Sequence, residues 1–165
     1  MSKRKTVQMT QLTMLLAMGI VLNYLEPQLP VAVPGAKLGL ANIIGVIALV
    51  LFGPKQMIAV NIMRVLIASL LRGTLFATAF WLSLTGVLLS TAVVIICYKL
   101  WKPSVVMLSV LSSIFHCVGQ VIAVSIIYNS WGMLFTLPQL LVFAIPTGIV
   151  TGILAQEALK RIWRR

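Results

Sequence analysis

Lysine and arginine in this chain stand at the ends of long apolar segments, and almost none lies inside one. That placement decides the solvent. Of 165 residues 61% are apolar and 9% charged, with a mean hydropathy of +1.09, whereas a soluble domain carries about 25% charged residues to face water. Too little charge is present to cover a water-facing surface, so these segments face lipid. A hydrocarbon core about 30 Å thick takes roughly 20 apolar residues per helix, so the chain has room for five or six spans. The expectation is an all-α integral membrane protein, a single membrane domain over residues 1–165.

Breakers set the spans. Lys3, Arg4 and Lys5 precede a first span over residues 8–24. No small-x-small cleavage pattern precedes Glu26, so this segment reads as a retained helix rather than a signal peptide. Pro27, Pro30 and Pro34 exclude a regular helix across residues 25–35. A second span covers 37–52 and stops at Gly53-Pro54-Lys55, and a third covers 56–71 and ends at Arg72-Gly73. A connection over 74–80 leads to a fourth span, 81–98, and a turn over 99–103 to a fifth, 105–127. After an uncharged loop over 128–136, a sixth span covers 137–159 and ends in a basic tail.

Charge counting gives this arrangement a direction. With six transmembrane helices and a cytoplasmic N-terminus, ten basic residues fall inside: Lys3, Arg4, Lys5, Lys55, Lys99, Lys102, Lys160, Arg161, Arg164 and Arg165. Two, Lys37 and Arg72, fall outside, and Arg64 lies within a span. Positive charge favours the cytoplasmic side, so both termini are expected to be cytoplasmic. Glu26, Lys37 and Arg72 then share the outer side, and a site built from them opens outward.

Arg64 is the most informative residue. It lies about eight residues, roughly 12 Å at 1.5 Å per residue, from either end of the third span. Near the bilayer midplane an arginine costs a few kcal/mol or more unless it faces the protein interior and finds a partner. Two readings stand open: a contact that locks helices together, or a contact to a ligand. The chain has no aspartate and two glutamates. Glu157 has Lys160 and Arg161 at helical spacing, which leaves Glu26 to answer Lys37, Arg64 and Arg72. Such an excess suits an anionic ligand, a carboxylate or a phosphate, although snorkelling to the interface would also accommodate Lys37 and Arg72.

Around this excess lie further candidates. The run Pro34-Gly35-Ala36-Lys37-Leu38-Gly39-Leu40-Ala41-Asn42 opens the second span with small residues and free N–H groups suited to an anion. Asn42 and Asn61 join the candidate set, and Asn42 reads equally well as a bond between helices. Ser109, Ser112, Ser113, His116 and Gln120 recur every three or four residues as one polar stripe, either interhelical glue or a pocket wall. Asn129 and Gln139 could add a polar rim.

Several functions are disfavoured. A nucleic-acid binder needs a continuous water-facing basic face, which a net charge of +11 spread over span ends does not make. No GxxxxGK[ST] loop, paired carboxylates or serine with a His–acid partner is present, so no catalytic residue and no cofactor is expected. Cys97 and Cys117 lack metal-ligand neighbours and read as apolar filler.

The pieces LEPQLP, PGAKLGLANIIGVIALVLFGPKQ, RVLIASLLRGTLF and IFHCVGQ together resemble the Gx transporter, or heptaprenyl diphosphate synthase component I, family. That family is similar to the substrate-binding S components of energy-coupling factor (ECF) vitamin transporters. The resemblance covers about residues 7–159 and implies a six-helix, S-component-like bundle with an outward-facing pocket. Uptake would require a transmembrane coupling protein and ATPases as partners. S components commonly carry an AxxxA-type face on helix 1, where this chain has Thr13, Ala17 and Val21. Prenyl transfer needs aspartate-rich Mg2+–diphosphate motifs, so in prenyl synthesis this chain serves only as a non-catalytic membrane partner.

The functional expectation is a multi-pass plasma-membrane protein that binds a small anionic or amphipathic vitamin-like molecule for uptake. Glu26, Lys37, Asn42, Asn61, Arg64, Arg72, His116 and Gln120 would line its site. The alternatives are a membrane subunit associated with heptaprenyl diphosphate, menaquinone or linked flavin metabolism, and a structural scaffold.

Overall fold

The computed structural model describes residues 3–26 and 40–163, and within them every regular element is helical. The helices are α1 (Lys3–Leu25), α2 (Asn42–Phe52), α3 (Pro54–Leu71), α4 (Thr78–Trp101), α5 (Val105–Ile127) and α6 (Leu137–Trp163). A 3-10 helix, Trp131–Thr136, leads into α6. Five of the helices are long and apolar enough to cross a membrane, and the chain is a multi-pass membrane protein.

The breakers act where their chemistry requires. Gly53, at φ +95°, ends α2, and Pro54 starts α3 at the position where a missing N–H costs nothing. Lys102 turns left-handed after α4, and the Ser104 hydroxyl accepts from the Met107 N–H at 3.2 Å to cap α5. α4 departs from expectation. It starts at Thr78 instead of residue 81 and runs three residues beyond 98, because the extended Ala77 ends the connection and nothing in Thr78-Ala79-Phe80 breaks a helix. α6 continues through Pro146 to Trp163, past the expected end at 159.

α2 is the central helix. Its 11 residues span about 16 Å, roughly half a hydrocarbon core, where the expected second span ran over 37–52. Residues 37–39 lie outside the described residues. Every residue from Ile44 to Leu49 is buried, as expected of a helix apolar on all faces. α2 touches each of the other five helices. Those five surround it in the order α1, α3, α4, α5, α6, each against the next, and among the described residues α1 and α6 do not meet. The surround is therefore open on one side.

Small residues close the α4–α5–α6 side. A Cβ on Gly119 would lie 2.8 Å from Gly86 Cα, so α4 and α5 cross backbone to backbone. On α6, Gly148 and Gly152 lie against Val110 and Val106 of α5, where a Cβ would come within 2.8 and 2.7 Å of the Cα atoms. This G-xxx-G seam provides van der Waals packing in a medium that gives helices no hydrophobic drive to associate. A hydrogen bond between Ser109 and Thr151, 2.9 Å, spans it.

Candidate functional site

α3 carries Asn61, Arg64 and Ala68 on one face, and Arg72, the residue that caps its end, continues the same spacing of three and four. α1 and α2 pack against α3. The Arg64 side chain is only 1% exposed, so it faces the protein interior and not lipid. Its Nη2 donates to Asn42 Oδ1 at 2.6 Å, in the first turn of α2. Gly19 of α1 lies beside it, where a Cβ would make ordinary contact with Arg64 Cδ at 3.5 Å.

Glu26, 3% exposed, follows α1 directly. Its Oε1 accepts from the Leu40 N–H at 3.0 Å. The carboxylate thereby sits at the start of α2, where free N–H groups and the helix dipole favour negative charge. Its charge also acts on Arg72. Arg72, just beyond the α3 span, donates from Nη2 to Asn23 Oδ1 and from Nε to the Ala68 carbonyl at 3.2 Å. Burial lowers the pKa of its guanidinium, and the charge of Glu26 opposes that shift.

The other candidates divide. Asn61 donates from Nδ2 to Thr91 Oγ1 at 2.8 Å, linking α3 to α4. Gly45 of α2 leaves the notch it occupies, since a Cβ would fall 2.5 Å from Asn61 Oδ1. His116 and Gln120 pair through their nitrogens at 3.1 Å on α5, buried against Gly86 of α4. Among the described residues α3 and α5 make no close backbone contact, and at His116 the stripe packs against α4. Lys37 lies outside the described residues. Asn23 was not foreseen, although it stands three residues before Glu26, about one helical turn away at the end of α1.

What distinguishes Arg64 is its unmatched donors. Among the described residues, Nε and Nη1 of Arg64 and Nδ2 of Asn42 are buried without a hydrogen-bond partner. Each such group costs about 1–3 kcal/mol, more when charged. Three donors around one buried cation can receive an oxyanion through charge-assisted hydrogen bonds.

A family model described as heptaprenyl diphosphate synthase component I matches residues 15–158. The chain belongs to that family. The four sequence pieces that carried the resemblance all fall inside the matched region. No curated protein and no solved structure matches the chain.

Proposed function

We propose that the chain is a non-catalytic membrane subunit of a system that makes a polyprenyl diphosphate, and that it holds the anionic group of a small ligand at Arg64 and Asn42. The family supports the first half. The second half rests on one observation, the three buried donors of Arg64 and Asn42 with no acceptor among the described residues. The absence of aspartate removes the Mg2+–diphosphate chemistry of prenyl transfer from this subunit. Glu26 sets the charge balance, one carboxylate against Arg64 and Arg72, and Asn23 and Asn42 orient the two guanidinium groups.

A second reading, S-component-like uptake of a vitamin-like anion with a coupling protein and ATPases, draws on the same enclosed cation. Purification of the full chain in mild detergent with a soluble prenyl diphosphate synthase separates the two. The subunit reading expects a complex that survives gel filtration. The uptake reading expects no complex, and both readings expect a small anion that co-purifies with the wild type but not with Arg64→Ala. A chain that shows neither is a scaffold.

A further inference from the structure

The 3-10 helix Trp131–Thr136 buries none of its residues, yet it carries no charge and is almost wholly apolar. Trp131 is 67% exposed and Phe135 88%, with Leu134 exposed beside them. No Asp, Glu, Lys or Arg stands anywhere between Lys102 and Glu157. An exposed apolar cluster of this kind marks contact with another phase or another molecule.

The backbone around it satisfies itself without water. α5 ends in a turn where Asn129, left-handed at φ +48°, donates its N–H to the Ile126 carbonyl at 3.2 Å, and Ser130 donates to Ser125 at 3.0 Å. The Met133 N–H donates to the Ser130 carbonyl at 3.2 Å, the Leu137 N–H to Leu134, and the Thr136 hydroxyl to the Met133 carbonyl at 2.7 Å. The chain thereby folds back, and the 3-10 helix lies against both α5 and α6 instead of projecting from them.

Helix lengths put this segment at the membrane boundary. The 23 residues of α5 span about 34 Å, slightly more than a hydrocarbon core about 30 Å thick, so its last turn emerges at the edge. α4 gives an independent gauge. Trp81 and Trp101 are both exposed and stand twenty residues apart, about 30 Å along a helix, and tryptophan favours the two membrane–water boundaries. α4 and α5 form a hairpin closed by the short turn over residues 102–104, so the Trp81 end of α4 lies beside the end of α5. Phe76 stands at that end too. It is exposed at φ +65°, where bulky side chains are rarely found, and its ring meets Phe80 edge-on at 5.7 Å.

We propose that the 3-10 helix is an interfacial anchor, which seats Trp131 and Phe135 in the headgroup–acyl boundary of the lipid, about 5–10 Å deep. Lipid is favoured over a protein partner on two grounds. The apolar surface continues the lipid-facing surface of α5 and α6 at Ile126, Ile127 and Val142, and it offers no charge by which a partner would be selected. α1 and α3 end at this same side of the bundle, tied by Arg72 and Asn23. The anchor therefore sets the depth at which Glu26 and Arg72 stand.

The test is the depth of Trp131 in the full chain reconstituted in phosphatidylcholine vesicles. Trp81→Phe, Trp101→Phe and Trp163→Phe together leave Trp131 as the sole tryptophan. Its fluorescence should be quenched most by a nitroxide near the headgroup end of the acyl chain, less by one near the methyl end, and least by aqueous iodide. If the triple variant does not reconstitute, the quenching lost on Trp131→Phe in the otherwise unaltered chain gives the same reading by difference. Strongest quenching by iodide would put the segment in water, free to dock a protein, and would overturn the inference. Strongest quenching from the methyl end would sink it into the hydrocarbon and overturn the inference equally.

Discussion

The two halves of the molecule treat polarity in opposite ways. In α4, α5 and α6 half of the eight buried hydroxyls bond a carbonyl of their own helix: Ser83 to Ala79, Ser90 to Val87, Ser125 to Val121, Thr151 to Thr147. In α1, α2 and α3 the polar side chains reach across helices: Arg64 to Asn42, Arg72 to Asn23, Glu26 to the Leu40 N–H, Asn61 to Thr91. Local bonds survive any shift of a helix, whereas bonds between helices require each helix to hold its place. The glycine-seamed half is accordingly the frame, and the charged half is where a ligand can change what is satisfied.

The comparison can be broken by substitution. Gly152→Leu should do the most damage, because its Cβ would come within 2.7 Å of Val106 Cα. Overpacking of this kind costs about 3 kcal/mol, read as a lower thermal midpoint in detergent. If Gly152→Leu leaves the midpoint unchanged, the seam is not the frame. Thr91→Val should cost about 1 kcal/mol by stranding Asn61 Nδ2, and Asn61→Leu added to it should restore part of that loss. A double-mutant cycle measures the difference, and simple additivity would deny that Asn61 acts through Thr91. Glu157→Gln should be the mildest, within about 0.5 kcal/mol, since its pairs with Lys160 and Arg161 are exposed.

Much of the frame is legible in the chain. Gly53-Pro54, Pro103 and the basic residues at span ends mark helix limits directly. The start of α4 is not marked, because Thr74 to Phe80 contains no strong breaker after Gly73. The central place of α2 was hidden because hydropathy reports how apolar a helix is and not what surrounds it, although ten consecutive apolar residues after Asn42 do carry that signal. The Gly148–Gly152 seam was also readable, as G-xxx-G within an apolar span. For the site, the scarcity of acid singled out Arg64 and Glu26. Which partners they take, Asn42 for Arg64 and the Leu40 N–H for Glu26, depends on how α1, α2 and α3 pack, which local pattern does not specify.

Binding of inorganic diphosphate to the purified full chain, wild type against Arg64→Gln, measured together with the thermal midpoint, addresses the role of the buried cation most directly. The wild type should bind, and the variant should bind about 10- to 100-fold more weakly, the worth of a charged hydrogen bond. Its midpoint should hold or rise, because removing an incompletely paired buried charge relieves its desolvation cost. Equal binding by both proteins, or a variant that unfolds, would make Arg64 a lock between helices and contradict the account.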